Sequence, residues 1–258
     1  MLIIETPPRF TMKNLYVRGI LALRSKELRT PLKPMSIEIL SPIPVQVDLR
    51  SVKKSAHVPE KEEKRLLALI AAAHSAMAAK AIYRVSYIDS RGEDSIVIEG
   101  VQFRSKVLRK HLDKIERVFP YVVTLGTGVR DLEEASGDVL EKYYLDQIGN
   151  AAVVQAREHL KNTLAKRYGL RGLSYLGPGQ LKDWPLGEQK ALFSLLGDVE
   201  SAVGVTLSES LMMIPQKSLS GIYFPTEIPF MACQLCPRES CLSRKARYDE
   251  RLAREYAE

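Results

Sequence analysis

Residues 183–224 read DWPLGEQKALFSLLGDVESAVGVTLSESLMMIPQKSLSGIYF, and this stretch decides the fold class. Its first half predicts a helix, because Asp183 and Pro185 suit a helix start and apolar residues recur behind them at helical spacing. Its second half predicts two strands, at residues 207–214 and 218–224, joined by a turn that contains Pro215. The helix is therefore followed by a hairpin-like pair of strands.

The chain before this stretch also mixes strands and helices. Residues 36–48 alternate apolar and polar side chains and are interrupted by Pro42 and Pro44, as in short extended pieces. The pattern predicts further strands at 81–88, 95–103 and 120–124, helices at 60–80 and 104–119, a turn at 89–94 and a loop at 173–183. Because the strands are hairpin-like neighbours without strict β-α-β alternation, we predict an α+β fold with a mainly antiparallel sheet and flanking helices.

The strongest helical signal lies between residues 136 and 169. Apolar or small side chains recur there every four residues, at Leu140, Tyr144, Ile148, Ala152, Ala156, Leu160, Leu164 and Tyr168. Ser136 is the candidate N-cap and Gly169 the candidate residue just after the C-terminus. Gly149 inside the helix indicates close packing against a neighbour, since glycine there destabilises a helix by about 1 kcal/mol. A charged C-terminal helix is predicted at residues 242–256.

The net charge is distributed unevenly along the chain. The 258 residues carry 38 basic and 31 acidic side chains, for a net charge of +7. Residues 1–34 hold seven of the basic and two of the acidic side chains, so they account for +5 and leave +2 for the rest. The body is thus nearly balanced and gives no support for a nucleic-acid partner. We predict a basic extension at 1–34, the main domain at 35–230 and a C-terminal segment at 231–258.

The extension itself has three interpretations: a flexible arm, a docked edge segment, or a start codon placed too far upstream. The longest apolar run, residues 66–79, is shorter than the roughly 20 residues that span a bilayer and predicts a buried helix. The N-terminus lacks the features of a signal peptide. We therefore expect a cytoplasmic protein that has no membrane partner.

All three cysteines of the chain lie close together, as Cys233, Cys236 and Cys241 in a C-x-x-C-x4-C pattern. Thiolates at such spacing converge on a metal with little loss of loop entropy. Structural zinc and iron–sulfur clusters usually take four ligands, and no fourth cysteine or downstream histidine is present. The pattern predicts an iron–sulfur cluster or zinc completed by a remote group, or alternatively three reduced thiols.

Two further features are weaker candidates for a functional site. The turn L-G-T-G at residues 125–128 is a possible phosphate-binding turn but is more typical of a plain strand-to-helix connection. Glu209 shares one face of the predicted strand 207–214 with Leu207, Leu211 and Met213. A carboxylate on an apolar face is either paired or functional, unless that face is exposed to solvent. The sequence contains no nucleophile–base motif of the familiar hydrolases, and the catalytic residues are unknown.

Several motifs in 178–224 match one known family. Gly204-Val-Thr-Leu-Ser-Glu-Ser210 is followed by Pro215 and by Ser218-Leu-Ser-Gly-Ile-Tyr-Phe224, and Pro178-Gly179 precedes the helix. In this order the motifs resemble the activation domain of cobalamin-dependent methionine synthase. The resemblance implies a C-shaped α+β unit with a twisted antiparallel sheet.

The resemblance also implies a function. The family domain binds S-adenosylmethionine in a shallow groove and docks over the cobalamin of a partner module. When the cobalt has been oxidised to cobalt(II), one electron and a methyl group from S-adenosylmethionine restore the active form. The protein supplies positioning and electrostatics, and the corrinoid carries the chemistry.

Site residues transfer from the family position by position. The family turn R-x-x-P-G-Y corresponds to Tyr175-Leu-Gly-Pro178-Gly179-Gln180, so Tyr175 and Gln180 replace the Arg and Tyr that contact S-adenosylmethionine. The remaining matches imply binding residues on the last strand and its approach: Glu209, Ser220, Gly221 and Tyr223. Tyr223 is the best candidate to reach the corrinoid, with packing on the sheet as its alternative.

No part of the chain resembles the folate, homocysteine or cobalamin modules, which predicts a stand-alone activation protein. Its expected partners are a corrinoid-binding methyltransferase or methionine synthase core and an electron donor protein. The first alternative is an electron-transfer partner of a corrinoid protein that does not bind S-adenosylmethionine, with the cysteines as the electron site. The second is a metal-site binding protein with a basic face for nucleic acid.

Overall fold

The computed structural model describes residues 37–241 and 244–257. The predicted extension at 1–34 lies outside these residues, as does Leu242, where the C-terminal helix was predicted to begin. The α-helices of the described residues are α1 (Leu49–Ser55), α2 (Glu63–Ala76), α3 (Lys106–His111), α4 (Gly128–Ala135), α5 (Val139–Arg167), α6 (Gln189–Leu196), α7 (Val199–Val203) and α8 (Glu250–Ala257). Within the described part of the chain, no helix is both long and apolar enough to span a membrane.

The strands form one eight-stranded sheet and a separate two-stranded hairpin. They are β1 (Ile37–Leu40), β2 (Lys80–Arg84), β3 (Ser86–Arg91), β4 (Ser95–Ile98), β5 (Val101–Arg104), β6 (Arg117–Thr124), β7 (Leu173–Leu176), β8 (Thr206–Leu207), β9 (Met213–Ile214) and β10 (Ser218–Pro225). The central strand β6 pairs with β2 and β3 along one edge and with β10 along the other. Because all of these pairs are antiparallel, the predicted α+β fold with an antiparallel sheet is confirmed.

Both faces of the sheet are covered, and the alternation of strand side chains assigns each residue to one face. Along β10, Tyr223 faces the core formed with α2 and α5, while Ile222 and Phe224 face the opposite core formed with α3, α6 and α8. Along β6, Tyr121 and Val123 join Tyr223 on the α5 side. The two faces therefore present different side chains to different helices, and this division places the candidate site residues.

The long helix α5 follows the sequence prediction, apart from its N-cap. Asp138 caps it, accepting hydrogen bonds from the backbone N–H groups of Leu140 and Glu141, so the prediction of Ser136 was wrong. Gly169 follows the helix with a φ of 62°, as predicted. A Cβ atom on Gly149 would lie 2.8 Å from Cε of Lys217, which confirms the close packing expected at this glycine.

The predicted helix at 104–119 is wrong in its second half. Helix α3 ends at His111, and the chain enters β6 at Arg117. The β-branched and aromatic residues after Glu116 favour a strand, although Pro120 lies inside it. Proline has no N–H to donate. The neighbouring ladder is interrupted between Tyr83 and Ser86, so the position opposite Pro120 falls in the gap where β2 ends and β3 begins in the same register.

Two predicted strands are hairpins. The predicted strand 95–103 turns at Glu99 and Gly100, whose φ angles are 48° and 77°. The predicted strand 207–214 consists of β8 and β9 joined by a turn at which Leu211 has a φ of 64°. The predicted loop 173–183 begins with β7, and the predicted helix after residue 186 is divided at Gly197 into α6 and α7. The C-terminal helix begins at Glu250 and is shorter than predicted.

Candidate functional site

A cleft of about 890 Å³ lies between the Pro178-Gly179 turn and the cysteine segment. One wall is the turn itself, residues 179–183 with 185 and 186. The other is formed by residues 235–238 and by Ala253 and Tyr256 of α8, and Val107 of α3 also lines the cleft. Gly179 and Cys236, which are far apart in the sequence, thus border one cavity.

Two backbone hydrogen bonds within the turn hold its shape. The N–H of Gly179 donates to the C=O of Trp184 at 2.8 Å, and the N–H of Gln180 donates to the C=O of Gly177 at 3.2 Å. Gly179 has a φ of 82°, which a residue with a side chain rarely adopts. Trp184 is buried and meets Phe103 edge to face at a centroid distance of 6.1 Å. The turn is therefore a rigid loop anchored in the core.

Asp183 fixes the turn to α3. Its carboxylate accepts hydrogen bonds from the N–H of Val107 at 3.0 Å, the N–H of Lys106 at 3.2 Å and the hydroxyl of Ser105. A carboxylate at a helix N-terminus satisfies unpaired N–H groups and interacts favourably with the helix dipole. Asp183 was predicted to cap the helix that follows it. Instead it adds to the cap of α3 far upstream, whose own N-cap residue is Ser105.

Gly177, directly after β7, and Gly221 in β10 allow the turn to lie directly on the last strand. A Cβ atom on Gly177 would lie 2.7 Å from the carbonyl oxygen of Ser220, and one on Gly221 would lie 2.5 Å from that of Leu176. Real Cβ atoms do not approach backbone so closely, so both positions require glycine. The hydroxyl of Ser220 donates to Oε1 of the buried Gln189 at 3.1 Å. Ser220 and Gly221 therefore have structural contacts next to the turn.

Tyr223 lies in the core, on the face of the sheet that packs against α5. Its side chain is fully buried, and its hydroxyl donates to the carbonyl oxygen of Arg157 at 2.8 Å. Its ring stacks on Tyr121 at a centroid distance of 4.4 Å. Burial raises the pKa of the Tyr223 hydroxyl well above its ordinary value. These contacts favour packing on the sheet, the alternative interpretation of this residue, because the cleft lies on the other face.

Tyr175 also belongs to the α5 side. Its ring meets Tyr223 edge to face at a centroid distance of 5.9 Å, and the guanidinium of Arg157 lies 4.0 Å from its ring centroid. Arg157 is only 5% exposed. A guanidinium over an aromatic face is a favourable cation–π contact. The structure thus places Tyr175 in a buried cluster with Tyr121, Tyr223 and Arg157, behind the turn.

Glu209 does not occupy an apolar face. It is exposed in the turn between β8 and β9, where the N–H of Ser208 donates to the C=O of Met212 at 2.9 Å. Because the strand is divided there, Glu209 does not alternate with Leu207, Leu211 and Met213 as predicted. It is not among the residues that line the cleft.

The three cysteines are partly exposed, and no disulfide joins them in the structure. Cys233 lies on the 3-10 turn Ala232–Leu235, and Cys236 directly follows it. The guanidinium of Arg244 donates to the carbonyl oxygens of both, at 3.3 and 3.4 Å. Within residues 37–241 and 244–257, no three His, Cys, Asp or Glu side chains come together so as to hold a metal ion. The metal site at Cys233, Cys236 and Cys241 is therefore still only a prediction.

The L-G-T-G turn is a close-packed connection between β6 and α4. A Cβ atom on Gly128 would lie 2.0 Å from the carbonyl oxygen of Ala76 at the end of α2. The N–H of Leu125 donates to the C=O of Lys217 at 3.0 Å, and that of Gly126 to the hydroxyl of Thr124 at 3.1 Å. These contacts account for the glycines by packing and favour the plain strand-to-helix turn.

Sequence reasoning missed Arg157 and Arg244. The signal for Arg157 was present, because it lies four residues after Val153 and three before Leu160 on the apolar stripe of α5. A charged residue in such a stripe must find compensation in the core. Arg244 had no such signal, since it contacts only backbone carbonyl oxygens of a non-repetitive segment.

The comparisons with known proteins support the resemblance. Residues 181–235 match the family described as vitamin B12 dependent methionine synthase, activation domain. The fold matches a solved structure described as the MetH reactivation domain bound to AdoHcy, with a TM-score of 0.54 and 16% identity over 77% of this chain and 81% of that one. At this identity the structural match shows the fold alone. No curated protein matches the chain in sequence.

Proposed function

We propose, from the confirmed likeness of residues 181–235 to the activation domain of vitamin B12 dependent methionine synthase, that this protein reactivates a corrinoid methyltransferase. The observation that carries the proposal is that the family match includes the whole stretch from the turn at Leu181 to the cysteine segment at Leu235. The fold of a reactivation domain over most of the chain supports it. The corrinoid would belong to the partner, a methionine synthase core or related methyltransferase.

We place S-adenosylmethionine binding at the cleft beside Gly179. A structural neighbour binds AdoHcy, the product that S-adenosylmethionine leaves after it donates its methyl group. The cleft volume of about 890 Å³ lies within the roughly 300–1,000 Å³ of typical small-molecule sites. Gly179 exposes its backbone at the rim, so a ligand can approach the chain without meeting a side chain.

Each component of the proposed reaction supplies a different part of the chemistry. The corrinoid supplies the cobalt chemistry, and S-adenosylmethionine supplies the methyl group, whose transfer leaves S-adenosylhomocysteine. One electron must come from a donor protein. The residues of this chain would bind and orient the methyl donor between the rigid turn 179–186 and the wall formed by residues 235–238. We further propose that the chain acts in trans, on a methyltransferase core that is a separate protein.

Binding of S-adenosylmethionine to the purified full chain tests the proposal. We expect saturable binding in a calorimetric titration, with competition by S-adenosylhomocysteine. Gly179→Ala should weaken binding at least several-fold, because its φ of 82° strains any side chain and its Cβ would lie 3.3 Å from Leu186. Gly187→Ala is the matched control, since a Cβ there meets nothing within 4 Å.

Absence of S-adenosylmethionine binding would favour a different function. If millimolar S-adenosylmethionine does not bind the folded wild-type chain, the methyl-donor role is wrong. The second candidate function, electron transfer to a corrinoid protein without S-adenosylmethionine, would then take precedence. The observation that favours it is that Cys236 lines the same cleft as Gly179. Iron and sulfide analysis of protein purified without oxygen tests whether Cys233, Cys236 and Cys241 hold a cluster, and a zinc assay tests the other metal.

A further inference from the structure

The turn that carries Cys233 and Cys236 has a geometry suited to a dithiol pair. The N–H of Cys236 donates to the C=O of Cys233 at 3.3 Å, closing the 3-10 turn Ala232–Leu235. A 3-10 helix rises about 2.0 Å per residue and eclipses the side chains of residues i and i+3, so the two Cα atoms lie roughly 6 Å apart. Disulfides join Cα atoms about 4.4–6.8 Å apart. The pair can therefore form a bond without moving the backbone far.

Both thiols are accessible. Cys233 and Cys236 are free and partly exposed, and Cys236 faces the cleft. Cysteines buried in apolar surroundings are inert, whereas partly exposed ones can be reached by an oxidant. Two intervening residues also make the loop between them short, so little chain entropy is lost on closure.

The side chain of Arg244 fixes the backbone of this turn. Its guanidinium donates to the carbonyl oxygens of Cys233 at 3.3 Å and Cys236 at 3.4 Å, and also to that of Arg238. One side chain thereby holds the backbone from Cys233 to Arg238. Because these hydrogen bonds fix the turn, the two cysteines stay at the separation that a disulfide requires.

Cys241 differs from the other two. It lies outside the 3-10 turn, and its carbonyl oxygen accepts the N–H of Arg244 at 3.2 Å. Four residues lie between Cys241 and Cys236 and seven between Cys241 and Cys233, so closure with either partner costs more loop entropy than closure of the turn. The three thiols are thus not equivalent, whereas a site that bound one metal through all three would bring them together.

We propose that Cys233 and Cys236 form a reversible disulfide, a redox site on the wall of the cleft, and that Cys241 stays a thiol. With a low-molecular-weight disulfide as oxidant, one thiolate attacks a sulfur atom of the oxidant and releases its first thiol. The other cysteine then attacks the mixed disulfide and releases the second thiol. Two electrons pass from the pair to the oxidant, which leaves as two thiols. This site is independent of corrinoid reactivation.

The test uses the full chain, reduced and then equilibrated with mixtures of reduced and oxidised glutathione. After acid quenching, an alkylating reagent and mass spectrometry count the free thiols. We expect wild type and Cys241→Ser to lose two alkylatable thiols each without gaining glutathione mass. Cys233→Ser and Cys236→Ser should form no internal disulfide and should at most carry one mixed disulfide. Circular dichroism checks that each variant is folded.

Three results would overturn the proposal. The first is a wild-type chain that keeps all three thiols over the whole glutathione range. The second is a set of internal bonds in which Cys241 takes part as often as the other two. The third is stoichiometric iron or zinc that protects these thiols in protein purified without oxygen, which would establish the metal site.

Discussion

The carboxylate of Asp183 accepts the backbone N–H of Val107 at 3.0 Å, although the two residues are 76 positions apart. Both residues line the cleft, so this hydrogen bond joins the turn 179–186 to the first turn of α3. The shape of the cleft therefore depends on a helix cap that connects two distant segments.

Removal of this cap should destabilise the protein. We expect Asp183→Ala to lower the free energy of unfolding by about 1–2 kcal/mol, the range for lost helix caps. Urea unfolding followed by circular dichroism measures the change. Asp94→Ala is the control, because Asp94 is an exposed carboxylate nearby whose side chain makes no hydrogen bond within the described residues. Equal losses in the two variants would mean that the cap contributes nothing.

Gly221 tests whether a matched family position is explained by packing. We expect Gly221→Ala to lower the free energy of unfolding by about 1–3 kcal/mol, since its Cβ would overlap the backbone of β7. Gly137→Ala should have little effect or stabilise slightly, because a Cβ there meets nothing within 4 Å. A fully stable Gly221→Ala protein would show that β7 and β10 are not held as described.

Tyr223→Phe separates a core role from a ligand role. Loss of the hydrogen bond to the carbonyl oxygen of Arg157 should lower the free energy of unfolding by about 1 kcal/mol. The affinity for S-adenosylmethionine should not change, because the hydroxyl is buried away from the cleft. Tyr143→Phe, in the same titration and unfolding assays, is an exposed control. Weakened ligand binding in Tyr223→Phe alone would restore the role that the family resemblance implies.

His111 predicts a pH dependence of stability. Burial lowers the pKa of His111 to about 4, below its ordinary value of 6.5. Between these pH values the unfolded chain binds more protons than the folded one, so stability is lost as the pH falls. We expect this group to remove about 2–3 kcal/mol between pH 6.5 and 4 and to have no effect above that window.

Unfolding curves of wild type and His111→Phe at several pH values check this expectation. The site suits a phenyl ring, since the His111 ring lies 3.9 Å from that of Phe230 and 5.0 Å from that of Tyr256 by centroid. His57→Asn is the control, because His57 is exposed and asparagine tolerates its φ of 53°. An unchanged acid-side slope in His111→Phe would contradict the prediction.

Local patterns predicted those elements whose stability is local. The four-residue apolar repeat predicted α5 because that helix buries a continuous stripe. The strand β10 was predicted as the segment 218–224 that follows the turn at Pro215. The hairpin at Glu99 and Gly100 was missed because its turn does not use the usual Asn-Gly or Asp-Gly pair, although it needs positive φ at both residues.

The site was less predictable because its contacts are long-range. The turn at Gly179 was recognised from a motif, but its proximity to Cys236 depends on where α8 and residues 235–238 pack. Tyr223 matched the family by residue type and Tyr175 stood at the position of the family Arg. The side of the sheet that both face follows from pairing with β6, which no local pattern specifies.

The position of β6 in the sheet also affects folding during synthesis. One edge of β6 pairs with strands that precede it, but the other is covered only by β10, which ends at Pro225. During synthesis that edge stays open until nearly a hundred further residues have left the ribosome. An open, apolar strand edge is a site for association with other chains. The emerging chain is therefore most exposed to aggregation in that interval and has the greatest need of chaperones there.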